Sequence, residues 1–569
     1  MLISRRNLAR TAVAGAVLMS LGMGANAAQK TLTADIVVVG AGSAGLTAAV
    51  QAAEKGAKVV LLEKNPFVGG ATNFAEGLFG VESEWQRLRS DTLTREEAFK
   101  GLMERHLYEI NGPITRDYIY GSAENLDWLS KHDIKFEVVR MTPWEEATWH
   151  VIGDYKGKNH GAALINALKD HADKLGVNTL TSTPATGLIA NKKGEITGIT
   201  AKSDDDTYTI TTKAVILASG SFGDSPEKVA KWAHRDPEGW KPSCPINKTG
   251  DGIQMALDKG AALGQVGFVG HLGAEGVKFL SNIYTTSWQP AALWVNSDGN
   301  RFVNEDVALS FSQAANTVYT QYGHHAWSIF DDSQVKYMME KGVDSGIGVL
   351  VPVGAKMTNL EKEIKEANHD KSVTGFKSAS SVAELAKKIG VPEKALQAAV
   401  KAYNHGCAEG HDGEFFKDVR YMRPLNTKKL YAVQLRANFF TAYGGLNTNR
   451  DFQVLDTHNK PIKGLYAAGM DVSNMVGHTY TTWSSGHAFG FACFSGRHAA
   501  LNWQVIYFCL SRPADGTSKV RRGVFKTMHR IGALFCARFG TRRCYAAPTP
   551  HCSPGKTAGD CQNHQQSGH

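Results

Sequence analysis

Gly40-Ala41-Gly42-Ser43-Ala44-Gly45 follows directly on the apolar run Ala34 to Val39, and Glu63 closes a second apolar run from Lys58 to Leu62. Strand, glycine turn, helix, strand and acid, in that order, make a dinucleotide-binding βαβ unit. The first glycine permits a tight turn, the second lets the backbone approach a pyrophosphate, and the third lets the helix that starts at Ser43 pack closely on the strand. The phosphates then face the helix N-terminus, where unpaired N–H groups and the dipole favour negative charge. Glu63 stands 18 residues beyond Gly45, where an acid accepts the ribose hydroxyls.

Three further segments narrow the choice of dinucleotide. Gly69-Gly70-Ala71-Thr72 comes soon after the acid. A strand with a small-residue end, Ala214 to Gly223, lies mid-chain, and another, Gly464 to Asp471, lies near the end. With these in place the chain resembles the fumarate reductase and succinate dehydrogenase flavoprotein family and its 3-ketosteroid dehydrogenase relatives, from about Thr33 to Ala500. The resemblance implies an α/β fold, a Rossmann-like FAD-binding domain of parallel sheet plus β-meander into which an α+β capping domain is inserted. It implies FAD, held by Gly40, Gly42, Ser43, Ala44, Gly45, Glu63 and Lys64, by Gly69, Gly70, Ala71, Thr72 and Gly77, and by Ala185, Ser219 and Gly220. Gly469, Asp471, Ser485 and Ala488 complete the set. Membrane-bound members attach the flavin through a histidine near the Gly69 loop, and no histidine occurs from Gly69 to Gly80, so non-covalent FAD is expected.

The expected order is a signal peptide over 1–27, FAD-binding domain over 33–269 and 441–505, cap over 270–440, and a tail over 506–569. Ser4-Arg5-Arg6-Asn7-Leu8, an apolar stretch from Thr11 to Met23 and Ala25-Asn26-Ala27 read as a twin-arginine export signal with a cleavage site. That places the mature chain in the periplasm or otherwise outside the cytoplasmic membrane, with no transmembrane anchor. Five of the eight cysteines, from Cys509 to Cys561, fall in the tail amid arginines and glycines. A disordered basic appendage, a metal or disulfide element and a sequence read in a shifted frame compete there. The cysteine spacings match no zinc or haem pattern, which favours the first and third.

The formal charge of +9 is carried by the ends: ten Lys or Arg against two acids follow Ala500, and Arg5, Arg6 and Arg10 lie in the leader. The body is left near −2, with no basic patch for nucleic acid. Within it, Thr186 to Ala190 and Glu195 to Ile199 read as a strand pair turning at Lys192-Lys193-Gly194, with Thr207 to Thr211 beside them. Gly161 to Leu175, Ser380 to Lys388 and Glu393 to Tyr403 read as helices. No metal-ligand spacing appears in the body, and Cys-x-x-Cys-His is absent throughout, so an external donor such as a cytochrome c or quinol-linked protein is expected to supply electrons.

The substrate positions depart from the family. The motif Arg301-Phe302-Val303-Asn304-Glu305 is present, but the position of the family's proton-donating arginine is Leu309. The carboxylate-gripping Thr-Glu-x-x-Arg falls on Tyr284 to Trp288, the substrate histidine on Phe440, and the last substrate arginine on Trp483. Without those guanidinium groups a dicarboxylate loses its bidentate donors. Phe439, Phe440, Tyr443, Tyr480, Trp483 and Trp288 predict an aromatic pocket for a flat substrate with few charges. Tyr480 resembles the ketosteroid dehydrogenase tyrosine that hydrogen-bonds a carbonyl, and Tyr443 and His271 are further catalytic candidates.

The expected activity is exported, FAD-dependent reduction of the activated C=C bond of a small α,β-unsaturated carbonyl or acid, with hydride from flavin N5. The alternatives are the reverse dehydrogenation of a ketone or steroid-like substrate, fumarate reductase or succinate dehydrogenase activity, and an electron-carrier flavoprotein subunit. A cap favours an enzyme, since a carrier needs an exposed flavin edge. Arg5→Lys together with Arg6→Lys is expected to hold the protein in the cytoplasm on cell fractionation. Unchanged appearance in the periplasm would support the ordinary secretory route.

Overall fold

The computed structural model describes residues 28–142 and 145–510; the expected signal peptide and all of the tail beyond Leu510 lie outside them. Four-residue runs of Val, Ile and Leu with no polar alternation form strands buried on both faces. They are β2 (Ile36–Val39), β3 (Val59–Leu62) and β11 (Ala214–Leu217), every residue of which is buried. Together with β7 (Asn178–Leu180), β18 (Gln453–Leu455) and β19 (Pro461–Ala467) they build a sheet in the order β18-β19-β11-β2-β3-β7. All pairs are parallel except β18 with β19, and Val37 lies between Val60 and Val215 in register. The helix Ser43–Glu54 packs on this sheet through an almost wholly buried first ten residues.

A meander stands beside it. β8 (Ala185–Ala190), β9 (Ile196–Lys202) and β10 (Asp206–Thr211) pair antiparallel, β8 and β9 through apolar Leu and Ile positions on either side of a Lys-Lys-Gly turn. β1 (Ala28–Thr33) adds to the edge of β10 in parallel, a pairing that no sequence pattern announced because its side chains are mostly exposed. A small sheet of β4 (Gly77–Phe79), β5 (Phe136–Val139) and β6 (Trp149–Ile152) joins the cofactor half to the rest.

The third large sheet is organised by one strand. β17 (Leu430–Tyr443) is 14 residues long and pairs with β12 (Lys241–Pro242), β13 (Gly267–Ala274), β15 (His325–Asp331) and β16 (Phe376–Ala379), with β14 (Leu293–Val295) beyond β15. β13 and β17 run through the expected boundaries at 270 and 440. A hydrogen-bonded ladder has no compositional seam, so composition could not place the boundary inside it. The expected helices appear as His160–Lys174, Val382–Ile389 and Glu393–Glu409, and the closing helix His487–Leu510 extends past the expected domain end at 505. Among the described residues no helix is long and apolar enough to cross a membrane.

The conserved-looking motif Arg301 to Glu305 does structural service. Arg301 is buried and donates to both oxygens of Glu305 (2.9 and 2.7 Å) and both of Asp412 (2.8 and 2.7 Å). Lys417, also fully buried, lies 3.3 Å from Glu305. Arg301 and Asp412 each hold the other's charged form, so Asp412 sits below the usual carboxylate range despite its burial. Removing one member leaves the others buried and unpaired. Arg301→Met is therefore expected to cost about 3–5 kcal/mol in a chemical denaturation experiment. A loss below about 1 kcal/mol, the size of an exposed pair, would show the network to be solvated.

Candidate active site

The strand ends of the parallel sheet open into a cleft with about 900 Å³ of free space including its mouth. Gly40, Gly42, Ser43, Ala44, Glu63 and Lys64 line one side. Gly70, Ala71 and Thr72 follow, with Ala185, Ser219, Gly220 and Gly469 opposite. The glycines are there for different reasons. A Cβ on Gly45 would stand 1.8 Å from the Gly40 carbonyl oxygen, and one on Gly40, at φ +101°, would stand 2.3 Å from that of Ala218. Both are demanded by the chain itself. At Gly42 the nearest atom to a Cβ is 3.7 Å away, and at Gly220 nothing lies within 4 Å. Gly42 has protein room for a side chain and has none, which fits a ligand lying against it.

Polar groups around the cleft are arranged accordingly. The Ala41 and Asn65 amides donate to the Glu63 carboxylate at 2.9 and 2.8 Å, fixing it at the end of β3. Thr72 Oγ1 accepts the Ser43 amide at 3.1 Å, tying the second glycine loop to the helix start. Lys64 is turned to the rim, donating to Thr249 and Asp251 at 2.7 Å each. Asp471 does not line the cleft. It stands behind Ser219, whose amide and hydroxyl donate to its Oδ2 at 2.8 and 2.9 Å, while Oδ1 is buried with no partner. Burial pushes its carboxyl up to about 7.

The other expected cofactor residues lie elsewhere. Gly45 is in the helix–strand contact. Gly69 donates its amide to Ala41 beneath the loop, and Gly77 presses on the His150 backbone. The Ser485 hydroxyl is turned onto Thr482, and Ala488 is in the first turn of the closing helix. Ile246 to Lys248, Asp251, Thr441, Met470 and Ala492 line the cleft without having been expected. Gly250-Asp251-Gly252 was the available signal, with Gly250 at φ +68°.

The expected aromatic pocket divides. Phe439 packs with Trp240 and Phe268, Trp288 with Phe311, and Phe440 stacks on His271 at 4.1 Å. Trp483 lies under the Arg105 guanidinium at 4.3 Å. Alternation along β17 sends Phe439 and Phe440 to opposite faces, which their shared aromatic character concealed. His271 is also apart from the tyrosines. Its Nε2 meets Ser243 Oγ at 2.6 Å and its Nδ1 meets the Leu272 carbonyl at 2.7 Å, so both nitrogens are engaged.

Tyr443 and Tyr480 do come together, around a histidine that sequence reasoning missed. His487 starts the closing helix, with ring centroids 6.0 Å from Tyr443, 6.3 Å from Tyr480 and 5.2 Å from Tyr118. Burial holds the imidazole down at about 3, with His106 adding to it, and raises the Tyr480 phenol to about 12. Three chain segments connect this cluster to the cleft: Thr72 to Phe79, Thr441 to Tyr443, and the helix turn from His487 to Ala492. None of the cluster's own side chains lines the cleft.

A model of the FAD binding domain matches residues 35–486. The chain belongs to this family. It is similar to a vinyl phenol reductase of Lactiplantibacillus plantarum, 37% identical over 82% of this chain and 95% of the relative. A cytochrome fumarate reductase of Shewanella frigidimarina is 29% identical over 77% of this chain and 72% of its own. Among solved structures, a 3-ketosteroid-Δ4-(5α)-dehydrogenase from Rhodococcus jostii in complex with 4-androstene-3,17-dione superposes with a TM-score of 0.65 at 25% identity, over 83% and 97% of the two chains. The protein is an FAD-dependent oxidoreductase, and the open space beside Gly42 fits the cofactor. Gly42→Leu is expected to abolish flavin absorbance in the purified protein while its melting temperature stays within about 1 °C of the parent apoprotein's, under about 1 kcal/mol for a chain this size. Retained flavin would place the pyrophosphate elsewhere.

Proposed function

We propose that this enzyme reduces the conjugated C=C bond of a small aromatic substrate that carries no dicarboxylate. One observation carries the reading: Arg301, in the motif upstream of the expected donor position, is committed to Glu305 and Asp412, while the motif resemblance puts Leu309 and Trp483 at the positions of the family's donor and clamp arginines. Arg105, which reaches Trp483 from a distant helix, is exposed and donates to Gly101 of its own helix, so it is no substitute clamp. Similarity to a vinyl phenol reductase over almost its whole length supports an aromatic alkene.

Bound FAD supplies the hydride, held non-covalently at the cleft. The chain's part is to hold a flat ring, exclude water and stabilise charge on the conjugated substituent. Tyr480 is placed for this. Its hydroxyl donates only at long range, 3.5 Å to the Ser484 carbonyl, and accepts from the His487 and Ala488 amides at the start of the closing helix, which leaves the proton available to a stronger acceptor. We further propose export by the twin-arginine route and reduction by an external cytochrome c or quinol-linked donor. The cytochrome fumarate reductase relative supports the donor class. A second reading, dehydrogenation of a ketone, draws on the ketosteroid dehydrogenase likeness and on the same tyrosine.

With dye-reduced enzyme, aryl alkenes are expected to reoxidise the flavin while fumarate turns over well below about 10 per second, a usual enzyme rate. Fast fumarate turnover would sink the reading, and flavin reduction by a saturated ketone would favour the second. Tyr480→Phe is expected to keep FAD and slow reoxidation about a hundredfold, as loss of an oxyanion donor does. A change below threefold would remove Tyr480 from the mechanism.

A further inference from the structure

The charged side chains that line the cleft are Glu63, Lys64, Lys248 and Asp251. Three of them are accounted for: Glu63 is held by two amides, and Lys64 pairs with Asp251 at 2.7 Å. Lys248 is the exception. It is 5% exposed, and its ammonium donates to the Cys244 and Phe440 carbonyls at 3.0 and 2.9 Å. Asp224 stands 3.7 Å away through Oδ1, which has no hydrogen-bond partner, while its Oδ2 accepts the Ile246 and Lys248 amides at 2.8 and 2.7 Å. Burial lowers the pKa of the ammonium, and Asp224 is the foremost group that holds its charge. Two carbonyls and an acid thus fix the ammonium in place. Asp224 itself does not line the cleft, so the positive end of the pair is the one that meets it.

A dinucleotide in this cleft has its pyrophosphate over the Ser43 helix start and its adenosine ribose at Glu63. The Lys248 loop begins at that ribose side, where Asn65 and Lys64 bond to Ile246 and Thr249. From there the Lys248 side chain leads away to β17, reaching the carbonyl just before Thr441, another lining residue. We infer that Lys248 serves the flavin end of the cofactor, where its fixed positive charge favours the anionic reduced flavin over the neutral oxidised one and so raises the reduction potential. Charge beside the ring is one of the few means by which a protein tunes a flavin. The inference is separable from a phosphate contact, because a pyrophosphate carries the same charge in both redox states. It also holds whether the substrate is an alkene or a ketone.

The test is a redox titration of the purified, FAD-loaded enzyme at pH 7, followed by flavin absorbance. Lys248→Met keeps most of the length and loses the charge. It is expected to retain FAD and to make flavin reduction about tenfold less favourable, a drop of about 30 mV for a two-electron couple. Lys248→Arg keeps the charge and is expected to stay within about threefold of the parent. Asp224→Asn removes the compensating acid and is expected to shift the potential upward, and it decides the matter if Lys248→Met loses flavin or fails to fold. A Lys248→Met potential within about twofold of the parent's overturns the inference. Weaker FAD binding at an unchanged potential overturns it as well and assigns the ammonium to the pyrophosphate. So does an Asp224→Asn potential at or below the parent's.

Discussion

Everything at the cofactor end depends on backbones meeting without side chains between them. The carbonyl of Gly40 lies where a Cβ of residue 45 would be, and the Ala218 carbonyl lies where a Cβ of residue 40 would be. Three elements thus converge on one point: β2, β11 and the first turn of the helix that follows. This convergence sets the helix N-terminus over the sheet's edge and holds the cleft open beside Gly42. The packing stabilises the fold through the all-buried strands, while the cleft is what remains where the strands end. Fold and cofactor site are here one geometric fact.

Farther in, the chain separates charge that supports structure from charge that meets ligand. Arg301, Glu305, Asp412 and Lys417 form a buried network in which each group is compensated by a neighbour. Asp471 is the opposite case, a buried carboxyl with one oxygen satisfied and its acidity suppressed to about 7. Such a group binds a proton in the folded chain and not in the unfolded one between about pH 4 and 7. Its contribution to stability therefore falls as pH rises through that window.

The cofactor half was legible because its requirements are local. Glycine spacing, an all-apolar strand and an acid at a fixed distance each have one physical reading, and together they specified the βαβ unit. The substrate half was legible only by subtraction. The motif resemblance put leucine and tryptophan, Leu309 and Trp483, where arginines were expected, but the aromatic residues around them could not be assembled, because they carry no directional signal in sequence. Phe439 and Phe440 differ by one position and face opposite ways, and Tyr118 reaches the site from a helix more than three hundred residues before Tyr480 and His487. His487 was hidden among small residues and reads in sequence as an ordinary helix start.

That the site gathers neutral groups follows from what the family's arginines had to do. A guanidinium clamp holds a dianion by compensating its charge as it leaves water. Once the clamp is lost, a desolvated box can admit only what brings no charge of its own, and its polar groups must be matched hydrogen for lone pair. Imidazole and phenol groups serve this better than lysine or arginine, since burial keeps both neutral and each offers donor and acceptor alike. The same burial that lowers the His487 basicity keeps the imidazole and its neighbouring phenols uncharged.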